Sequence, residues 1–183
     1  MLSDNEQIEL LMLLEAKNNE AAATDMAEYA RITLEVEPAA HHQLMIDALQ
    51  EVESGMWDFL LIMMPPGSAK STYGSVIFPA WYLGRNPNKC VIAASHTGEL
   101  AERFGRKVRN LVSGTEHSKV FPKFKVSADS AAAGRWDTTE GGEYFAAGVG
   151  GSITGRRADL AIIDDPVKSR EEADSETMRE KQW

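Results

Sequence analysis

The hydrophobic positions of the first 55 residues recur at helical spacing. A first helical region is predicted over residues 2–36, with an apolar stripe formed by Ile8, Leu11, Met12 and Leu14. Pro38 ends this region, because proline cannot continue a helix. A second helix is predicted over residues 39–53 and stops at Gly55. The residues on and around its buried face are expected to be Leu44, Ile46, Ala48, Leu49 and Val52.

After residue 58 the pattern changes to short, continuous apolar runs. Runs without alternation are typical of strands that are buried on both faces of a parallel sheet. We predict three such strands, over residues 59–64, 89–95 and 158–164. Helices are predicted between them and further strands beside them: helices over residues 71–83 and 97–112, and strands near residues 124–126 and over residues 143–147. A capping box at residues 169–172 predicts a final polar helix.

The alternation of strands and helices indicates an α/β fold with a mostly parallel central sheet flanked by helices. Residues 1–37 are expected to form an N-terminal helical appendage, and residues 38–183 one domain. With 43% hydrophobic residues, the chain is too apolar for a disordered protein. Its longest apolar run, residues 59–66, is far too short to span a bilayer, so no membrane association is expected.

Charge is distributed unevenly along the chain, whose formal net charge is -9. Residues 1–58 contain 13 acidic and 2 basic side chains and carry a charge of -11. Residues 85–135, in contrast, contain 10 basic and 4 acidic side chains and carry +6. Because steering of a polyanion depends on the local field, the negative total does not exclude a nucleic-acid partner.

A candidate phosphate-binding loop lies between the first predicted strand and the next helix. Residues 63–72 read Met-Met-Pro-Pro-Gly-Ser-Ala-Lys-Ser-Thr. In such a strand–loop–helix arrangement, backbone N–H groups and the helix N-terminus face the phosphates. Lys70 is expected to reach the β- and γ-phosphates, and the Ser71 hydroxyl to bind Mg²⁺. The alternative is a Pro-Pro-Gly turn followed by an ordinary helix.

The loop departs from the usual pattern G-x-x-x-x-G-K-[ST], since Met64 and Ala69 occupy the two glycine positions. An alanine at positive φ costs roughly 1 kcal/mol or more. We therefore expect Ala69 to have right-handed helical dihedrals and the turn to be made at Gly67 alone.

Paired carboxylates end the last predicted strand, where the sequence reads Asp159-Leu-Ala-Ile-Ile-Asp164-Asp165-Pro166. In a P-loop NTPase the first carboxylate at such a strand end holds Mg²⁺ and the second polarises the attacking water. Asp164 fits the first role and Asp165 the second. The alternative, a solvated Asp-Asp-Pro turn, is common after strands. The Lys70-Ser71 pair earlier in the chain favours ATP binding over that alternative.

These segments together resemble the ATPase domain of the large terminase subunit of tailed bacteriophages, the motor that packages viral DNA. The resemblance rests on the phosphate loop, on residues 93–97 (Ala-Ala-Ser-His-Thr), on residues 104–111 and on residues 150–166, and it covers residue 38 to the end. In that family the residue before the lysine is often glycine and the second carboxylate often glutamate. Here these are Ala69 and Asp165, and the shorter Asp165 must lie closer to its water.

The resemblance implies a P-loop ATPase that uses ATP and Mg²⁺ in the host bacterial cytoplasm. The implied partners are double-stranded DNA, the small terminase subunit, the portal protein and further copies of the chain in a ring. The implied nucleotide-binding residues are Gln43, as an adenine contact, and Pro66, Gly67, Ser68, Ala69, Lys70, Ser71 and Thr72. Gln43 is equally well read as a polar residue on an exposed helix face.

Motors of this kind also need an arginine that neutralises charge in the transition state. Arg156, in the glycine-rich region before the last strand, is slightly favoured over Arg103 and Arg106, and Arg157 is expected to make a structural ion pair instead. The helix over residues 97–112 also carries a run of basic residues suited to DNA or to a neighbouring subunit. A solvated helix face is the simpler interpretation of most of them.

Two further interpretations of the sequence stay open. A helicase-like DNA translocase would share the same core, and a nucleotide-binding scaffold would bind ATP without turnover. Terminases also contain a coupling strand and a nuclease domain beyond the two carboxylates. We therefore expect this chain to be a fragment of a longer protein, without nuclease activity of its own and with an incompletely covered apolar sheet edge.

Overall fold

A computed structural model describes residues 3–151, 153–167 and 174–177. The helices are α1 (Asp4–Thr24), α2 (Met26–Leu34), α3 (Ala40–Glu53), α4 (Lys70–Thr72), α5 (Phe78–Arg85), α6 (Gly98–Val112) and α7 (Thr115–Val120), and a π-helix (Tyr73–Ile77) joins α4 to α5. The strands are β1 (Cys90–Ser95), β2 (Val126–Ala131), β3 (Arg135–Thr138), β4 (Glu143–Gly148) and β5 (Leu160–Asp164). The capping box predicted at residues 169–172 lies outside the described residues.

One five-stranded sheet, in the order β2-β3-β4-β1-β5, forms the centre of the fold. β1 pairs in parallel with β4 on one side and with β5 on the other, while β2–β3 and β3–β4 are antiparallel. The mixed α/β character is thus confirmed, but a mostly parallel sheet is not, because the turn-rich region after residue 122 adds two antiparallel strands. The parallel part holds the strand ends that matter below, since Ser95 lies opposite Asp164.

The prediction of a buried strand over residues 59–64 is wrong. This segment is not part of the sheet, and Phe59, Leu61 and Met63 are more than 80% exposed. Ile62 and Met64, in contrast, pack against the core. A continuous apolar run indicates the propensity for a strand, but the sheet hydrogen bonds must come from a distant segment, which the run itself cannot specify.

An apolar edge does exist in the sheet. Among the described strands β5 is the last on its side, and Ile163 on it is 68% exposed. The expectation of an incompletely covered edge therefore agrees with the described residues. Whether this edge promotes association stays a prediction.

The N-terminal helical region consists of two helices rather than one. Asp25 has an extended backbone that interrupts it, and its side chain accepts the N–H groups of Ala27 and Glu28 to cap α2. Met26 and Tyr29 of α2 belong to the same core as the sheet, whereas Ile8 to Leu14 of α1 are largely exposed. The domain boundary predicted at residue 37 stays a prediction.

The buried face of α3 differs from the predicted one at Leu44, and the predicted Ala48 and Val52 are only half-buried. Ile46 and Leu49 are buried as expected, but Leu44 is 74% exposed and Met45 takes its place in the core. Both Leu44 and Met45 fit a helical pattern, and only the neighbouring elements decide which of the two turns inward.

A π-helical turn interrupts the predicted helix over residues 71–83. The backbone stays right-handed from Lys70 to Arg85, but Phe78 N–H bonds Tyr73 C=O, five residues back. Pro79 explains the widening: it has no N–H to give Ser75 C=O, and its ring would clash with that carbonyl in an ideal α-helix. The wider turn carries Ser75, which is buried and contacts the site described below.

His117 links α7 to α2 inside the core. Its ring is 1% exposed, its Nδ1 lies 2.7 Å from Tyr29 Oη, and its Nε2 has no hydrogen-bond partner. Phe121 and Phe124 surround it. Because burial disfavours the charged ring, the pKa of His117 falls from 6.5 to about 4.

Replacement of His117 by glutamine should flatten the stability profile of the protein in mild acid. The unfolded chain takes up a proton near pH 6.5 and the folded one only near pH 4. The contribution of neutral His117 is therefore complete above pH 6.5 and is lost as the pH falls toward 4, by about 3 kcal/mol. Urea unfolding at a series of pH values should show that excess loss in the wild type. An equal loss in His117→Gln would contradict this account.

Candidate functional site

The loop before α4 contains two residues with left-handed backbones. Gly67 has φ 79° and Ala69, the N-cap residue of α4, has φ 57°. The expectation that Ala69 is right-handed is therefore wrong. The chain makes a second sharp turn at this position to enter the helix, and only a left-handed residue directs it there. Glycine suits the position before the lysine because it has no side chain to clash at positive φ, and alanine at this position is strained.

The backbone of this loop presents free hydrogen-bond donors. Within the described part of the chain, the N–H groups of Gly67, Ala69, Lys70, Ser71 and Thr72 donate no hydrogen bond. Ser68 N–H is the exception, because it donates to Pro65 C=O at 3.3 Å. Successive free N–H groups at the start of a helix form a concave donor surface with partial positive charge, which favours anions.

Lys70 contacts both carboxylates that end β5. Its Nζ lies 2.8 Å from Asp165 Oδ1 and 3.6 Å from Asp164 Oδ1. The hydrogen bond with Asp165, together with the charges of Asp165 and Asp164, raises the pKa of Lys70 above its ordinary value. The structure thus brings Lys70 together with Asp164 and Asp165, which lie 94 and 95 positions later in the sequence.

Asp164 is held from the helix side by Ser75. Ser75 Oγ–H donates to Asp164 Oδ2 at 2.8 Å, and both residues are buried. Sequence analysis missed Ser75. The available signal was its position four residues after Ser71, which places it on the same helix face one turn further on. The Ser71 hydroxyl, in contrast, makes no hydrogen bond to the described residues.

Asp165 also has a left-handed backbone, with φ 47°. Aspartate tolerates this region better than most residues because its short side chain can bond locally. The turn directs the chain out of β5 directly after Asp164, so the two adjacent carboxylates share Lys70 but only Asp164 reaches Ser75. Asp164 is 7% exposed, whereas the side chain of Asp165 is 62% exposed.

A cavity of about 450 Å³ lies above the loop. It is lined by Met64, Pro65, Pro66, Gly67, Ser68, Ala69, Lys70, Ser71, Thr72 and Asp165. All the predicted loop residues therefore share one cavity with Asp165. Asp164, Gln43 and Arg156 are not part of its lining.

Gln43 lies on α3, where its Nε2 donates to Asp47 Oδ1 at 2.8 Å along the same helix. The residue that reaches the loop from α3 is its neighbour His42, whose Nε2 lies 3.0 Å from Ser68 O. Sequence analysis gave His42 no role. Its N3 position behind an alanine cap was the available signal, because such a side chain can turn back to the helix start.

Arg156 lies far from the two carboxylates. Its guanidinium donates to Glu143 Oε1 at 2.8 Å and lies 3.6 Å from the centre of the Phe145 ring. Glu143 pairs with Cys90 at the start of β1, and Asp164 pairs with Ser95 at its end. Five residues of strand separate these ends by about 16 Å. The structural ion pair expected for Arg157 is thus made by Arg156.

Arg103 and Arg106 are exposed on α6, and neither forms an ion pair with the described residues. Lys107, on the same helix, contacts the Phe104 ring only loosely, at 5.9 Å. Among the described residues, no group of three or more His, Cys, Asp or Glu side chains could hold a metal ion. No described helix is long and apolar enough to cross a membrane.

Residues 61–183 match one family model, described as terminase large subunit, T4likevirus-type, N-terminal. The chain belongs to this family. Searches of curated proteins and of solved structures gave no match. The terminase match includes the loop, both carboxylates and Ser75, and it begins after α3. Membership indicates a role in packaging phage DNA, and terminase large subunits are generally ATPases.

Replacement of Ala69 by glycine should stabilise this terminase domain. Glycine removes the left-handed strain, which destabilises the fold by about 1–2 kcal/mol when the residue is alanine. It also gives the unfolded chain more conformational freedom, which lowers the free energy of unfolding by up to about 1 kcal/mol. We expect a net gain of about 0.5 kcal/mol in the free energy of unfolding, measured by urea denaturation. Ala16→Gly in the interior of α1, where the backbone is right-handed and the side chain exposed, is the matched control and should lose about 1 kcal/mol. Parallel losses in both variants would contradict the strained conformation of Ala69.

Proposed function

We propose that this domain binds and hydrolyses ATP with Mg²⁺ and thereby drives double-stranded DNA into a procapsid. The observation that carries the proposal is the meeting of Lys70, the free N–H groups of its loop and the two carboxylates of β5 at one end of the parallel strands. The proposal is supported by the similarity of this meeting point to the site of a P-loop NTPase, in which the loop binds phosphates and the carboxylates serve metal and water.

The residues present fit a phosphate chain and a magnesium ion. The free N–H groups and the Lys70 ammonium are donors for phosphate oxygens, and the cavity is large enough for a nucleotide's phosphates. Ser71 and Asp164 would hold Mg²⁺, which uses few protein ligands together with substrate phosphates and waters. When bound, this ion would neutralise charge on the phosphates.

Without nucleotide, the Lys70 ammonium pairs with the Asp165 carboxylate. A phosphate group entering the loop competes with the Asp165 carboxylate for the same ammonium. Because the Asp165 side chain is largely exposed, the contact is weak enough to be exchanged. The exchange leaves Asp165 free to accept a proton from a water molecule, while Ser75 keeps Asp164 in place. Lys70 thereby couples phosphate binding to the release of the proposed base.

The proposal also includes an arginine that neutralises charge in the transition state. Arg156 would have to leave Glu143 and Phe145 to act within its own chain, so its assignment depends on a rearrangement or on a neighbouring copy. Arg103 and Arg106 are exposed and available to a neighbour in a ring. The further partners that we propose are DNA, the small terminase subunit and the portal protein. The proposal gives Gln43 the adenine contact.

Lys70→Ala should weaken nucleotide binding at least tenfold, since the ammonium is the charged donor of the loop; tenfold corresponds to about 1.4 kcal/mol. Titration of a fluorescent ATP analogue in the presence of Mg²⁺ measures this effect. Lys107→Ala removes the same charge from exposed α6 and is the matched control, with binding expected within twofold of the wild type. If Lys70→Ala binds as the wild type does, the loop is an ordinary turn and the proposal fails.

Asp165→Asn should separate binding from turnover. The variant keeps the shape and the tolerance for a left-handed backbone but removes the negative charge that competes for Lys70. We expect nucleotide binding that is as tight as in the wild type or tighter, with phosphate release slower by about 100-fold or more. Unchanged phosphate release would show that Asp165 is not the base. A wild type that binds nucleotide and never releases phosphate would identify a scaffold without turnover.

A further inference from the structure

We propose that His42 is a positioning residue of the phosphate loop: it holds the Ser68–Ala69 peptide so that the Ala69 N–H faces the cavity. The inference rests on the proposed phosphate-binding function. It concerns a residue on α3, outside the segment that matches the terminase family model.

Both ring nitrogens of His42 have a defined partner. Ala39 N–H, at the start of α3, donates to Nδ1 at 3.1 Å. Since Nδ1 accepts, the neutral ring carries its proton on Nε2, and this N–H donates to Ser68 C=O at 3.0 Å. One ring therefore caps the N-terminus of α3 and ties that terminus to the phosphate loop.

Neighbouring rings restrict the His42 side chain. Its ring centre lies 4.5 Å from that of Tyr73, with 31° between the planes, and 4.0 Å from that of His41. Tyr73 is 1% exposed and is the first residue of the π-helix that follows α4. The donor to Ser68 is thus held by packing as well as by its own cap bond.

The direction of the Ser68 carbonyl determines the direction of the next N–H. No peptide bond in the described chain is cis, and in a trans peptide the C=O and the following N–H point in opposite directions. The Ser68 carbonyl is turned to His42, so the Ala69 N–H is turned away from it. That N–H has no hydrogen-bond partner, and its residue lines the cavity.

Backbone strain at Ala69 makes this restraint necessary. A flip of the Ser68–Ala69 peptide changes ψ of Ser68 and φ of Ala69 together, and it can carry Ala69 from its φ of 57° to the negative values that alanine prefers. The same flip would turn the N–H out of the donor surface. The bond from His42 opposes it, because the flip would remove the carbonyl from its donor.

The test compares His42→Phe with His41→Phe. Phenylalanine keeps a ring against Tyr73 but donates no hydrogen bond, and His41 is the exposed neighbour that makes no hydrogen bond to the described residues. Inorganic pyrophosphate is the probe, with affinity measured by calorimetry. We expect His42→Phe to weaken binding by about tenfold, the equivalent of one hydrogen bond, and His41→Phe to leave it within twofold.

A second substitution distinguishes orientation of the peptide from general stability. Glycine has no preference for negative φ, so Ala69→Gly should restore part of the pyrophosphate affinity in the His42→Phe background. A merely structural role of His42 predicts neither the loss nor the rescue when affinity is measured on fully folded protein. In the wild type, the amide resonance of Ala69 should shift on addition of pyrophosphate, and the His42 ring should show the tautomer with the proton on Nε2. These two spectra test the inference even if His42→Phe does not fold.

The outcomes separate this inference from the proposed function. Wild-type affinity in His42→Phe, an unmoved Ala69 amide or the opposite tautomer would overturn the role of His42 alone. A wild type that does not bind pyrophosphate would overturn the phosphate site itself, together with everything inferred from it.

Discussion

The contact between Lys70 and the two carboxylates of β5 is the interaction on which the site depends. It joins the start of a helix to the end of a strand. Each partner depends on a residue with a left-handed backbone: Ala69 directly precedes Lys70, and Asp165 is itself left-handed. Each turn aims one partner at the other. Because Asp165 is largely exposed, the pair gives direction rather than much stability, and it can exchange with an incoming anion.

Asp164 and Asp165 differ in environment although they are adjacent. Asp164 is buried, accepts a hydrogen bond from Ser75 and is opposite Ser95 in the sheet register, so its position is fixed by the core. Asp165 has left the strand; its C=O accepts His96 N–H at 3.3 Å, but among the described residues its exposed carboxylate contacts Lys70 alone. A fixed carboxylate beside a releasable one is the division of labour expected when one binds a metal and the other moves a proton.

The features that were predicted correctly are those that short-range sequence patterns determine. β1 and β5, the helix over residues 97–112 and the proximity of the loop to the carboxylates all follow from apolar runs, helical periodicity and strand order. The errors arose where distant neighbours decide. Residues 59–64 lack a strand partner, Leu44 and Met45 exchange places on α3, and Ala69 bears strain that its surroundings impose. Arg156 pairs with Glu143, and no sequence motif indicates that contact.

The uneven charge of the chain has a structural counterpart. Acidic residues of the N-terminal helices pair with basic residues of the 85–135 segment: Glu15 with Lys119, and Glu53 with Arg85. Part of the +6 of that segment is therefore neutralised where the helices dock. Arg103, Arg106 and Lys107 on α6 have no such partner among the described residues. Lys123 and Lys125, after α7, are likewise exposed and form no ion pair with the described residues. The net charge of -9 is therefore a poor guide to the local field of this part of the chain.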